Sequence, residues 1–191
     1  DGKLRSNEYQ GIPKVAGSAT FEDEYRIAAL RKEGLDHAKK REKPCQDMFD
    51  FGRCGHYIWL AVSDGVGSET HSQFGARLAC DSVGALLYKM SMDGAAGHPA
   101  EDGFDNIGRA ILRNARFELE RYAEQTGLDL RRLSTTLQVV IIDLNLDKVG
   151  FAAIGNGNCI ATFVDGEHMV VGHGRPSPDL GTPNLSSRDF D

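Results

Sequence analysis

The residues with the clearest chemical potential are two aspartates, Asp47 and Asp64, at the ends of two short apolar segments. Asp47–Phe51 and Tyr57–Ser63 are rich in aromatic and β-branched residues, which favours strands. Residues 52–56 contain two glycines and supply a break between the segments. The sequence therefore predicts a β-hairpin with one aspartate at the open end of each strand.

A turn centred between Gly55 and His56 would bring the two aspartates face to face. Antiparallel pairing and two-residue alternation then place three cross-strand pairs on one face of the sheet: Phe51 with Leu60, Phe49 with Val62, and Asp47 with Asp64. Two carboxylates directly opposite each other repel, so the arrangement is costly unless a cation lies between them. Hard oxygen ligands suit Mg²⁺ or Mn²⁺, and we expect a divalent metal site here.

A glycine-rich stretch follows the second aspartate, where residues 63–68 read S-D-G-V-G-S. Glycine lets a metal or its waters approach the backbone, so the carbonyl of Gly65 is a candidate ligand. The alternative interpretation is a plain strand-to-helix turn in which Asp64 caps the next helix. The pairing of Asp64 with Asp47 favours the metal site.

Two helices are predicted after the hairpin. Apolar residues recur at helical spacing over Ser68–Met90 and Asn106–Gln125, and Gly127 is the expected end of the second helix. Residues 1–20 are polar and contain Gly and Pro, and they read as a loose lead-in, whereas Phe21–Leu30 fits a strand or a helix equally well.

The period then changes to that of strands. Short β runs are predicted at residues 136–144, 149–154, 159–164 and 168–171, and the Asp165-Gly166 pair is a strong hairpin signal. Runs of strands and helices, rather than strict alternation, favour an α+β fold with antiparallel sheets.

Composition excludes several functional classes. The chain has 191 residues, which is one domain or at most two small ones, and its net charge of −6 makes it a poor nucleic-acid binder. No apolar run is long enough to span a membrane, and no secretory signal opens the chain. The four cysteines lack zinc-site spacing, so we expect reduced thiols in a cytoplasmic protein.

The motifs together resemble the PPM/PP2C metal-dependent serine/threonine phosphatases, in particular their bacterial PP2C-like branch. The resemblance runs from about residue 34 to 171 in the family's order. Its pieces are Gly34–His37 (G-x-x-H), Pro44–Asp47 (P-C-Q-D), Ala61–Ser68, Phe74–Ala79, Ser134–Thr136 with the strand that follows, and the Ala152–Asn158 turn.

This resemblance implies a four-layer αββα sandwich with two Mn²⁺ or Mg²⁺ ions between antiparallel sheets. The residue matching Asp64 bridges the two ions, and the one matching Gly65 ligates through its carbonyl. The residue matching Asp47 helps to hold the ions, mainly through bound water. A metal-activated water then attacks phosphorus, which makes Asp47 and Asp64 the catalytic residues and a phosphoprotein the substrate of a signalling enzyme.

The chain departs from the family pattern at several positions. Glu42 stands where the phosphate-binding arginine is usual, so His37 and Arg41 become the candidates for substrate binding. Gln46 replaces a common glutamate, and Asn156 replaces the aspartate of the turn, where an amide is a weaker metal ligand.

The family's later metal-binding aspartates fall beyond the matched region. We therefore expect a lead-in over 1–33 and a phosphatase domain over 34–191 whose C-terminal part is missing. The alternatives are a catalytically impaired pseudophosphatase that acts as a regulatory or binding module, and another metal-dependent phosphoryl hydrolase that uses the same acids. The sequence names neither the substrate protein nor the oligomeric state.

Overall fold

The computed structural model describes residues 14–21, 25–32, 44–92, 101–174 and Leu185. The strands are β1 (Lys14–Phe21), β2 (Tyr25–Lys32), β3 (Asp47–Cys54), β4 (Tyr57–Asp64), β5 (Leu137–Asp143), β6 (Lys148–Ile154), β7 (Gly157–Thr162) and β8 (His168–Gly174). The helices are α1 (Ser72–Met92), α2 (Glu101–Thr126) and a 3₁₀ helix (Leu130–Leu133). The strands pair in antiparallel fashion, which confirms the predicted α+β class.

A four-stranded antiparallel sheet in the order β3-β4-β5-β6 forms the centre of the fold. Strand β4 shows its organisation most clearly, because Trp59, Ala61 and Ser63 are buried while Val62 and Asp64 between and beyond them are exposed. The sheet thus has an inner face, which is covered by helices, and an outer face. The two aspartates belong to the outer face.

Helices α1 and α2 pack on the inner face and enclose the main apolar core. Fully buried side chains come from both helices and from the central strands, among them Ala79, Val83, Leu87, Ile111, Leu119, Leu137 and Val139. Helix α1 also approaches the 3₁₀ helix so closely that a β-carbon on Gly75 would lie 1.9 Å from the carbonyl oxygen of Leu133. Within the described part of the chain, no helix is both long and apolar enough to cross a membrane.

Residues 14–21 and 25–32 form two paired strands, which corrects the expectation of a loose lead-in for the part of it that is described. Strands β1 and β2 pair without interruption from Lys14 with Lys32 to Phe21 with Tyr25. Gly17 lies against stacked aromatic rings of β3, because a β-carbon there would be 3.0 Å from Cε1 of Phe51. The close fit of this strand against the rings therefore depends on the missing side chain of Gly17.

The second hairpin, β7–β8, packs against the other edge of the central sheet. A β-carbon on Gly172 would lie 2.1 Å from Cδ1 of Phe151 in β6, so this contact also needs a residue without a side chain. The predicted Asp165-Gly166 turn joins the two strands, and Gly166 has a φ of 87°. The two hairpins therefore begin a second layer over the outer face of the sheet.

Candidate active site

The acidic pair occupies the open end of the β3–β4 hairpin. Asp47 and Asp64 are direct cross-strand partners, and Phe49 with Val62 and Phe51 with Leu60 follow in the same register. The register predicted from the sequence is therefore confirmed. Asp64 is exposed and Asp47 is half-buried, so the end of the sheet that carries both carboxylates is open to solvent.

The chemistry of this donor set fits a hard divalent cation. Opposed carboxylates repel in the absence of a cation, and carboxylate oxygen is the preferred ligand of Mg²⁺ and Mn²⁺. The thiol of Cys45 lies 3.8 Å from Oδ2 of Asp47 as a weak hydrogen-bond donor. No group of three or more His, Cys, Asp or Glu side chains among the described residues could hold a metal ion, so the acidic pair is not by itself a complete ligand set.

Gly65 follows the pair in a space with no room for a side chain. A β-carbon there would lie 2.8 Å from the carbonyl oxygen of Gln46 and 2.9 Å from that of Ser72. The residues on either side of Gly65 bond to the segment before β5. Thr136 N–H donates to the carbonyl of Asp64, and Val66 N–H donates to the carbonyl of Ser134. These bonds leave the carbonyl of Gly65, the candidate ligand, outside the ladder.

A buried network of hydroxyl groups supports Asp64 from the side of β5. Oγ of Ser63 lies 2.6 Å from Oγ1 of Thr135, which in turn donates to the carbonyl of Asp64 at 2.9 Å. The amide of Asp64 donates to Oγ1 of Thr136 at 3.0 Å. Ser63 and Thr135 are fully buried, so the strand end that carries Asp64 is held by groups protected from water.

Gln46 lies beside the candidate site, and its side-chain contacts could not be predicted from the sequence. Its side chain is 4% exposed and points to the helix side, where Nε2 donates to Oγ of Ser72 and to the carbonyl of Glu69. Both partners lie more than 20 residues away in the sequence. The departure from the family's glutamate was visible, but these contacts depend on how α1 docks on the sheet.

The second aspartate of β3, Asp50, lies on the opposite face. Partial burial raises the pKa of Asp50, and the charge of Asp81 on α1 raises it further, whereas the hydrogen bond from the backbone of Phe51 and the nearby side chain of Trp59 oppose the shift. Burial likewise raises the pKa of Asp81, against the lowering effect of Arg77. Asp50 faces the helices, so it does not contribute to the acidic pair.

Three further residues were singled out in the sequence: two candidates for substrate binding and the asparagine of the turn after β6. His37 and Arg41, the candidates for substrate binding, lie outside the described residues, and their role stays a prediction. Asn156 is exposed at the turn between β6 and β7, at the same end of the sheet as the acidic pair, and its carbonyl accepts a hydrogen bond from Gln138.

Comparison with known proteins identifies the family. The sequence profile described as Protein phosphatase 2C matches residues 33–177, which is most of the chain and includes the acidic pair. The chain belongs to the protein phosphatase 2C family. A sequence search of curated proteins gave no match.

Two solved structures resemble this protein phosphatase 2C domain. A Stage II sporulation E family protein from Thermanaerovibrio acidaminovorans is 20% identical, with a TM-score of 0.50 over 68% of this chain and 54% of that protein. A bacterial serine phosphatase is 12% identical, with a TM-score of 0.53 over 87% of this chain and 56% of that protein. At these identities the likeness shows the fold alone, and the chain spans little more than half the length of either structure.

Proposed function

We propose that this domain hydrolyses phosphoserine and phosphothreonine esters of proteins with the help of Mn²⁺ or Mg²⁺. The observation that carries the proposal is the direct opposition of Asp47 and Asp64 at an open sheet end, inside the region that matches the phosphatase family. The extent of the functional domain is proposed as residues 34–191.

The residues of the site have separate tasks in this proposal. The carboxylates of Asp47 and Asp64 and the carbonyl of Gly65 would hold the cations. When bound, such cations activate water and offset the charge that develops on a phosphoryl group. The hydroxyl groups of Ser63 and Thr135 fix the strand end, so that the carboxylates need little reorganisation.

Phosphate binding is assigned to the segment before β3. His37 and Arg41 would contact the phosphoryl oxygens, because the usual arginine position holds Glu42. The four free cysteines suit a reducing compartment, and on that ground we propose a cytoplasmic signalling role.

A pseudophosphatase is the second candidate. It is favoured by the incomplete ligand set among the described residues, and by Asn156 and Glu42 at positions where the family has an acid and a base. Such a protein would keep the fold as a regulatory or binding module without turnover.

Activity with an aryl phosphate tests the proposal. The intact protein should hydrolyse p-nitrophenyl phosphate with Mn²⁺, and Asp64→Asn should lower the rate about 100-fold or more, because several kcal/mol of transition-state stabilisation depend on the metal. Asp50→Asn is the matched control, since it makes the same change on the opposite face of β3 and should keep the rate. Phosphoserine and phosphotyrosine peptides then define the substrate class.

Two outcomes would contradict the enzyme. Full activity of Asp64→Asn would refute the site assignment. Binding of Mn²⁺ without any turnover by the intact protein would favour the pseudophosphatase.

A further inference from the structure

One buried residue, Gln46, contacts both ends of the loop that follows Asp64, one end through its backbone and the other through its side chain. Nε2 of Gln46 donates to Oγ of Ser72 at 2.6 Å, and Ser72 begins helix α1. The same nitrogen donates to the carbonyl of Glu69 at 3.0 Å. The backbone carbonyl of Gln46 accepts the amide of Gly65 at 3.1 Å. A single residue therefore contacts the start, the middle and the end of residues 65–72.

The direction of this side chain separates it from the acidic pair. Gln46 is 4% exposed and Ser72 is fully buried, and both lie on the helix side of the sheet. Asp47, the next residue, lies on the outer face opposite Asp64. The side chain of Gln46 thus contacts the loop on the helix side of the sheet, whereas the two carboxylates belong to the outer face.

We infer that Gln46 is a positioning residue, which holds the loop 65–72 so that the carbonyl of Gly65 and the carboxylate of Asp64 face a common point. The inference rests on the proposed metal site. The loop passes close to both Gln46 and Ser72 at this point, because a β-carbon on Gly65 would meet the carbonyl oxygens of both residues.

The amide group is suited to this task in a way that a carboxylate is not. The carbonyl of Glu69 can only accept, so the atom that faces it must be a donor, and an amide nitrogen has two hydrogens for its two partners. A carboxylate at this position would bring an acceptor against the carbonyl of Glu69 in a buried place, which is unfavourable. The family's common glutamate could not make these contacts in its ionised form.

Metal affinity tests the inference, with Mn²⁺ alone as the probe and electron paramagnetic resonance of free Mn²⁺ as the readout. In the intact protein, Gln46→Glu should weaken Mn²⁺ binding by about 10-fold to 100-fold, the range for groups that orient metal ligands, although it adds a negative charge near the site. Gln46→Met should weaken binding similarly. If Gln46→Glu binds Mn²⁺ as tightly as the wild type or more tightly, the inference is wrong.

A remote core variant controls for a general loss of stability. Leu87→Ala removes a fully buried side chain of α1, about 22 Å along the helix from Ser72. It should destabilise the protein and leave the Mn²⁺ affinity within about twofold of the wild type, the effect at the metal being confined to groups that orient its ligands. Equal weakening by Leu87→Ala would overturn the inference, because the effect of Gln46 would then be one of stability alone.

Hydrogen exchange in the metal-free protein separates this inference from the proposed function. Amides of residues 65–72 should exchange faster in Gln46→Glu than in Leu87→Ala, whether or not the protein binds Mn²⁺. If the wild type fails to bind Mn²⁺, the proposed function fails, and faster exchange still supports the hold of Gln46 on the loop. Unchanged exchange in Gln46→Glu refutes that hold.

Discussion

Gly65 is the residue at which the geometry of the candidate site is most sharply limited. Its missing side chain would overlap two backbone carbonyl groups, those of Gln46 and Ser72, and neither can rotate away as a side chain could. A side chain at position 65 would therefore have to displace the backbone of the loop, of the segment before β3 or of helix α1.

The first prediction concerns this position. Gly65→Ala should displace the loop, cost about 1–3 kcal/mol of unfolding free energy, and lower the Mn²⁺-dependent rate by about 100-fold, because a small misplacement of catalytic groups is expensive. Gly67→Ala is the control in the same loop, since its β-carbon would meet only Oε1 of Gln46 at 3.7 Å. Phosphatase assays and chemical denaturation of both variants check the prediction, which fails if the two behave alike.

At this scale the sequence predicted the acidic pair but not its support. The pairing of Asp47 with Asp64 follows from local alternation and from a glycine-containing turn, which are both visible in the sequence. The contacts of Gln46 with Ser72 and Glu69 join segments that are distant in the chain, so only the docked helix defines them.

At the scale of elements, the interface between β3 and α1 contains a half-buried acid, Asp50. Burial raises the pKa of Asp50 above its ordinary value of 3.8, and Asp81 across the interface adds to the effect. A raised pKa means that the neutral acid suits the folded state better than the charged one. This contribution to stability is complete below the unfolded pKa and is lost as the pH rises through the folded pKa.

The second prediction follows from the direction of the pKa shift of Asp50. Asp50→Asn mimics the neutral acid, so it should raise the melting temperature at pH 7, and its advantage should vanish as the pH falls below about 3.8. Thermal melts of the wild type and the variant across this range provide the measurement. A variant that is less stable than the wild type at pH 7 would mean that the interactions of the carboxylate with the backbone of Phe51 and with Trp59 outweigh its desolvation.

Most elements could be predicted from periodicity, and the exception has a physical cause. Helix α1 begins at Ser72 rather than Ser68, because residues 65–71 form the loop fixed by Gln46. Strand β1 was missed, because Ala16–Ala19 at its centre lack the β-branched and aromatic types that mark strands. Gly17 among them packs closely on β3, which composition does not reveal.

At the scale of the whole molecule, a residue distant in sequence, Leu185, joins the core beside the candidate site. Leu185 is fully buried, its amide donates to the carbonyl of Thr135 at 2.9 Å, and its carbonyl accepts from Nη1 of Arg116 at 2.7 Å. Thr135 also contacts the carbonyl of Asp64, so Leu185 is linked through one residue to the acidic end of the sheet.

The third prediction uses this link. Leu185→Ala should cost about 2–5 kcal/mol of unfolding free energy, as expected for a large side chain removed from a well-packed core. Denaturant titration of the intact protein measures the cost. A loss of unfolding free energy below about 1 kcal/mol would contradict the prediction, because it would show that the side chain of Leu185 contributes little to the packing of the core.

The overall class of the fold was within reach of the sequence, whereas this long-range closure was not. The order of strands and helices indicated antiparallel sheets covered by helices, as observed. Leu185 lies in a polar stretch rich in Gly and Pro, where no local pattern marks a residue as buried.

The contact of Leu185 with Thr135 also affects the order in which the chain can fold during translation. Thr135 leaves the ribosome long before Leu185 does, and until then the apolar space that Leu185 fills stays open. A nascent chain can therefore pair its central strands early. The hydrogen bond from Leu185 to Thr135, beside the end of the sheet that bears the two acids, can form only after Leu185 has been synthesised.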